Sequence, residues 1–281
     1  MTDIDKIKKL RQSTGAGFKD CNSALKESNG NLEKAAEILR IKGIAKASKK
    51  MSRDANDGVV VISGDKKKKS IIEINCETDF VAKNDDFIKF CKELSEINFS
   101  SSGDIEKINN SKMSDGNVVK DSLVNLIAKI GEKISIRRSK FFDNKSGFNY
   151  FYVHSALEKN IGKIVSIVKL NNENKDLGNK IAMHITASNP LAIEKDKIDK
   201  KIVDKELEII KEEIKNSGKP PEMVEKISKG KINKFISDNT LLNQIWIMDP
   251  KKKVSDVLKE NSSQKEIKIL DFIKYKVGEG V

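Results

Sequence analysis

One ordering of hydrophobic periods occurs twice in this chain, and it limits the possible folds more than any single residue does. "GVVVISGDKKKKSIIEIN" (residues 58–75) reads as two strands around a charged turn, a change from the helical spacing that precedes it. Two helical stretches follow, "DDFIKFCKELSE" and "VVKDSLVNLIAKIGE", and a strand, "KISIRR", closes the set. The same succession then returns. "YFYVHSALEKNIGKIVSIVKL" is again strand, turn and strand, and "DLGNKIAMHITAS" and "VSDVLKE" are helices. "ILDFIKYKVG" ends the copy as a strand that places Ile273, Tyr275 and Val277 on alternate positions. Duplicated halves built on hairpins predict an α+β fold: a core of two duplicated subdomains with antiparallel sheets, over residues 57–140 and over 141–188 with 237–281.

Two segments fall outside the duplication. Residues 189–236 interrupt the second copy with Ile198, Ile202, Leu207, Ile210 and Ile214 on one helical stripe. Gly218 with Pro220 and Pro221 then stops that helix and starts another, which predicts a projecting antiparallel helical hairpin of coiled-coil type. Residues 1–50 read as three short helices. Thr2 caps the first, "TGAG" (residues 14–17) breaks it, "NGN" ends the second, and Asn31 caps a third that is expected to end at Gly43. None is long enough to stand alone, so they must pack as a small module. The charged, small-residue stretch from Ile44 to about residue 56 is expected to tether it to the core.

A net charge of +12 raises the question of nucleic acid, because cationic chains gain affinity for phosphate backbones by counterion release. Of the 54 basic residues, however, only five are arginines (Arg11, Arg40, Arg53, Arg137, Arg138), whereas bidentate readout of phosphates and bases leans on the guanidinium fork. Lysines solvating helix surfaces are the simpler reading, and the Lys66–Lys69 run suits a hairpin tip. No direct contact with nucleic acid is expected. Cys21, Cys76 and Cys91 form no CxxC pair and have no histidine at ligand spacing, so neither a disulfide framework nor a metal site is suggested, and a reducing cytoplasm fits. "MTDIDKIKKLRQ" has no apolar leader core, and no uncharged run approaches the roughly 18 residues a bilayer crossing needs, so neither export nor membrane contact is expected.

No catalytic constellation emerges. There is no GxxxxGK[ST] loop, and "TGAG" lies between helices, where glycines serve a turn. His184 shares a helix face with Ile181 and Ile185 and reads as core; alternation leaves the exposure of His154 open. Pairing Cys76 or Cys91 with His184 would lack a third, orienting group. The residue that stands out is Phe80, in "INCETDFVAKNDD" (residues 74–86). It either plugs the core with Val81 and Phe87, or is thrust outward by a tight turn that Thr78 and Asp79 stabilise through bonds to their own backbone. An outward aromatic on a loop held by rigid elements is built like a binding anchor. Local chemistry leaves both readings standing.

"EINCETDFVAKN" (residues 73–84) and "LRQSTGAGFKDCNSAL" (residues 10–25) resemble the two signature motifs of bacterial elongation factor Ts, a family of guanine-nucleotide exchange factors for elongation factor Tu. "LIAKIGEKISIRR", "IAMHITASNP", "NSGKP" and "FIKYKVGEG" also resemble family segments, in family order, so the resemblance spans the chain. It implies a ubiquitin-associated-like three-helix N-terminal domain, a core of two related α+β subdomains and a helical-hairpin insertion. It also implies a mechanism. The Phe of the TDFV motif, here Phe80 with Thr78, Asp79 and Val81, wedges into GDP-bound elongation factor Tu near its Mg²⁺, disturbs magnesium and phosphate coordination, and lets GDP go. Lys8, Arg11 and Phe18 map onto contacts of the N-terminal helices with the partner's nucleotide domain. Ile130 and Gly131 match a contact beside the wedge, and His154 matches one from the second subdomain.

Phe18 and Lys19 stand where the family often has a Met-rich pair, and Asn22 where it usually has Lys. The chain runs out at "VGEGV", so the C-terminal helical module of some members is expected to be absent. No cofactor of its own and no chemical active site are implied: the factor acts on GDP and Mg²⁺ held by the partner. The hairpin is a candidate surface for pairing two copies. A lysine-rich RNA- or ribosome-binding module is the alternative, and salt-sensitive RNA binding would favour it.

Overall fold

The computed structural model describes residues 2–143, 147–217, 220–262 and 265–280. It divides into two compact units, one of Met1–Phe142, Ser155–Ile164 and Tyr275–Val281, the other of Asp143–His154 and Val165–Lys274.

The first unit opens with three helices, α1 (Asp3–Thr14), α2 (Phe18–Glu27) and α3 (Leu32–Lys50). Thr2 caps α1 in a reciprocal box with Asp5, and Asn31 caps α3 by accepting from the Lys34 N–H. Ile7, Leu10, Cys21, Ala24, Leu25, Ala35 and Leu39 make their common core. The expected end of α3 at Gly43 is not observed, because this glycine serves packing. A Cβ at Gly43 would lie 3.3 Å from that of Ala128 on α7 (Val119–Ile130), so its absence lets the two helices approach and α3 run on. Ala47, one turn later, is buried in the main core. The expected tether is therefore helical as far as Lys50.

Strands β1 (Asp57–Gly64) and β2 (Lys69–Cys76) form an antiparallel hairpin paired from Asp57↔Cys76 to Gly64↔Lys69. β3 (Ile134–Phe142) lies antiparallel on the other edge of β2. Helices α4 (Asp79–Ala82), α5 (Asp85–Ser100), α6 (Ile105–Asn110) and α7 connect β2 to β3. Val59, Val61, Ile72, Ile74, Phe87, Leu94, Ile127 and Ile134 lie in their shared core. Glu73, fully buried in β2, receives Arg137 at 2.9 Å and Arg138 at 2.5 Å, and also the Gly278 N–H at 3.0 Å. The two guanidiniums reach on to the carbonyls of Glu279 and Lys276, so a paired charge ties the 276–279 segment to the sheet.

The second unit repeats the arrangement. β4 (Phe148–Glu158) and β5 (Ile161–Leu170) form a hairpin whose turn end belongs to the first unit. β6 (Ile269–Lys276) pairs with β5 as β3 pairs with β2. Helices α8 (Lys175–Ser188) and α11 (Val254–Glu260) line the core with Tyr150, Val168, Leu177, Ile181 and Trp246. The fold is α+β, with the duplicated order its periodicity predicts.

Between α8 and α11 stand α9 (Lys200–Asn216) and α10 (Pro221–Asp238), packed through Ile210, Ile214, Val224 and Ile232. The stripe differs from the expected one. Ile198 precedes the helix and Ile202 is 40% exposed, while Val203 takes the packing position, because the seam is set by the residues α10 presents. Gly218 lies outside the described residues; Pro220 stands at the N-cap of α10 with Pro221 in its first turn, where a missing N–H costs nothing.

Candidate functional site

The stretch after β2 does not end as a loose loop. Cys76 closes the strand inside the core, and two residues later Thr78 begins the single helical turn α4 as its N-cap. Four residues are too few to hold a helix by themselves, since nucleation fixes several dihedrals for one hydrogen bond. The turn is held from outside. The Glu132 carboxylate accepts both the Thr78 backbone N–H (3.1 Å) and its hydroxyl (2.8 Å). With its proton committed there, the hydroxyl oxygen accepts from the Val81 N–H at 3.4 Å. The Thr78 carbonyl accepts the Ala82 N–H at 3.2 Å and the Cys76 thiol at 3.1 Å. Val81 and Ala82 face the core, and on the opposite side of the same turn the Phe80 ring is 81% exposed, the most exposed of the large apolar side chains described.

A second carboxylate braces the approach. Glu77 accepts the Lys133 N–H at 2.6 Å and pairs with Arg53 at 3.1 Å, and the Lys133 ammonium returns to the Arg53 carbonyl at 2.7 Å. Burial pushes the Glu77 carboxyl up, but the Lys133 and Arg53 bonds outweigh it and hold its pKa below the usual value. Asp79 pairs with Lys83 one turn on at 2.8 Å, which lowers its own pKa and raises that of Lys83. Lys163, bonded to Asp57, adds to the positive field at Asp79. The aromatic thus stands among paired charges, on a support joined to β2, to Arg53 in the turn after α3 and to the end of α7.

Of the residues singled out in the sequence, the structure brings Thr78, Asp79, Phe80 and Val81 onto one turn, and it brings the Ile130–Gly131 end of α7 beside them through Glu132. Gly131 is the helix terminus in left-handed conformation (φ 88°), and the reversal it makes sends Glu132 back to Thr78. Lys8 and Arg11 are exposed on α1 and Phe18 is 53% exposed at the start of α2, separate elements from α4. His154, in the second unit, is exposed on β4, with its ring 6.1 Å from that of Tyr152. The next residue, Ser155, has φ 50°, which breaks the regular strand there.

His184 is a core residue. It is fully buried and stacks 5.1 Å from Trp246; it accepts the Ile247 N–H on Nδ1 and so donates from Nε2 to Gln244 at 3.0 Å. Burial holds its pKa down, as expected of a neutral imidazole. Burial also pushes the Cys76 thiol up to about 12 and the Cys91 thiol well above its ordinary value, the reverse of what a nucleophile requires. A concave surface of the first unit, a cleft of about 730 Å³ lined by α1, α2, α3, α5 and α7, holds paired charges: Lys46 with Asp20 at 2.8 Å and Lys129 with Asp86 at 2.7 Å. Among the described residues no cluster of three or more His, Cys, Asp or Glu could hold a metal ion, and no helix is long and apolar enough to cross a membrane.

Sequence reasoning missed Glu77, Glu132 and Arg53. The first two flank segments it had singled out, "TDFV" and "IG", and a carboxylate following a helix-ending glycine was the available signal. Comparison with known proteins bears on the same stretch. The family model described as "Elongation factor TS" matches residues 77–279. The chain is 41% identical over 293 aligned positions to the elongation factor Ts of Clostridium kluyveri, covering 100% of this chain and 94% of the relative. It is 38% identical to that of Hydrogenovibrio crunogenus, with 98% and 91% covered, and 38% identical to that of Zymomonas mobilis, with 98% and 92% covered.

Proposed function

The chain belongs to the elongation factor Ts family, and from that premise we propose that it acts through the Phe80 turn when it docks on GDP-bound elongation factor Tu. Its role is that of a translation elongation factor, a nucleotide exchanger rather than a catalyst of bond chemistry. In the proposed mechanism Thr78, Asp79, Phe80 and Val81 present one aromatic that enters the partner near its Mg²⁺, displaces the ion from its phosphate coordination and frees GDP. Lys8, Arg11, Phe18, Ile130, Gly131 and His154 are proposed partner contacts. Place of action follows the partner, in the cytoplasm. Pairing of two copies through the α9–α10 hairpin belongs to the same proposal, supported by Ile202 and Ile209, one heptad apart and both exposed.

The observation that carries this reading is the exposure of Phe80 on a turn whose other side chains are buried or hydrogen-bonded. An aromatic left in water at the tip of a braced support costs folding stability nothing to remove and is available to a partner. The test follows from that asymmetry. Catalytic amounts of the protein should speed release of a fluorescent GDP analogue from elongation factor Tu. Phe80→Ala should slow release by roughly 10- to 100-fold, the loss of about 1.5 to 3 kcal/mol of apolar burial, with the melting temperature unchanged. Release at the unaltered rate would remove Phe80 from the mechanism. The RNA-binding reading loses ground to the internal use of arginine: Arg53, Arg137 and Arg138 spend their guanidiniums on Glu77 and Glu73.

A further inference from the structure

We infer that Glu132 is a positioning residue for exchange: by accepting both donors of Thr78, its carboxylate sets the pitch of the turn that aims Phe80 at the partner. The inference rests on the proposed role of Phe80 and adds to it a group that need not touch the partner. The geometry carries it in three steps. Gly131, at φ 88°, reverses the chain at the end of α7 and delivers Glu132 to the loop, a conformation that costs most residues with a Cβ about 1 to 2 kcal/mol. The two carboxylate oxygens then take two different donors of one residue, the N–H at 3.1 Å and the hydroxyl at 2.8 Å, so Thr78 is fixed in both position and side-chain rotation. That rotation leaves a lone pair for the Val81 N–H at 3.4 Å, the bond that closes α4 around Phe80. Without the carboxylate the hydroxyl is free to turn its proton elsewhere, and Thr78 is the one side chain that caps the N-terminal end of this four-residue helix.

Glu77 braces the neighbouring residue by a separate route, to Lys133 and Arg53, so loss of Glu132 alone should loosen the turn without unfolding the unit. Glu132→Gln keeps the shape but gives one acceptor oxygen and an NH₂ group where two donors must be met. In the full-length protein it should lower the maximal rate of fluorescent GDP release from elongation factor Tu about 3- to 20-fold. The concentration for half-maximal effect should move less than twofold, and amide hydrogen exchange should quicken in the peptide spanning residues 77–84. Thr78→Val, which keeps the backbone N–H and loses the hydroxyl, should show part of the same loss, and Thr78→Ser should restore it. In a Phe80→Ala background Glu132→Gln should have no further effect on release, because there is nothing left to aim.

The two readings can fail separately. If Phe80→Ala slows release but Glu132→Gln and Thr78→Val leave both release and hydrogen exchange unchanged, the positioning role is overturned and the wedge stands. If Glu132→Gln slows release equally with Phe80 present or absent, Glu132 acts by another route and the inference falls. If Phe80→Ala itself has no effect, the wedge reading fails first, whatever the hydrogen-exchange result.

Discussion

Gly131 offers the sharpest separation between a residue that touches a partner and one that shapes a backbone. It is exposed, its φ is 88°, and a Cβ built on it would meet nothing within 4 Å. Any effect of Gly131→Ala within the folded protein is therefore conformational. Holding alanine in the left-handed region costs about 1 to 2 kcal/mol. For a chain of this size that corresponds to a fall in melting temperature of about 2 to 8 °C if the turn is retained. If the backbone relaxes instead, the thermal loss shrinks, but Glu132 moves off Thr78, and GDP release should slow by about 3- to 20-fold, as for Glu132→Gln.

Asparagine visits the left-handed region far more readily than alanine, so Gly131→Asn should recover most of both losses although its side chain is larger. Thermal melts and stopped-flow release of a fluorescent GDP analogue from elongation factor Tu read the two quantities on the same samples. If Gly131→Asn is as stable as the parent yet exchanges worse than Gly131→Ala, the partner excludes any side chain there and the backbone argument is refuted. If Gly131→Ala changes neither quantity, the left-handed turn does not matter at all.

Two other expectations concern groups the fold has silenced. Native protein treated with iodoacetamide near pH 8 should keep Cys76 and Cys91 unmodified and its exchange activity intact, since both thiols are buried and their pKa values are raised, whereas the denatured chain should label fully; rapid inactivation would bring thiol chemistry back. His184 should give stability a pH dependence of defined sign. Burial depresses its folded pKa below the ordinary histidine value of about 6.5, so the unfolded chain binds the extra proton, and the contribution is present above about pH 6.5 and lost as pH falls below it, by at most about 1.4 kcal/mol per unit. Calorimetry between pH 7.5 and 5.5 should show a shallower slope for His184→Asn than for the parent, and an equal slope would assign the effect elsewhere.

The periodic features were legible because they are local: period two in the hairpins and the caps at Thr2 and Asn31 need only neighbouring residues. What local chemistry left open depended on contacts distant in sequence. Whether Phe80 points in or out turns on the pitch of one helical turn, and that pitch is set by Glu132, 54 residues from Thr78. The acidic residue inside "SIIEIN" gave no hint that it was a buried charge, because its partners, Arg137 and Arg138, lie 64 and 65 residues on. Gly43 misled in a different way. A glycine in a helical pattern can end the helix or let another helix close in, and the choice belongs to Ala128, on a helix that sequence spacing alone does not place.

These distant contacts bear on how an exchange factor of this build can work. A partner shifts a nucleotide equilibrium only by its differential affinity for the empty and GDP-bound states, and burying one phenylalanine contributes about 2 to 3 kcal/mol. On the proposed reading, that contribution counts in full only if it is not spent on ordering the turn during docking. Here the ordering is done in folding: Glu132, Glu77 and the Cys76 thiol have already fixed the backbone around Phe80, so little conformational entropy remains to be lost at the interface. The rest of the interface must hold the partner in its distorted form. By linkage, whatever preference this protein has for the empty partner, GDP or GTP has equally for expelling it, so tighter support of Phe80 should raise release and displacement together.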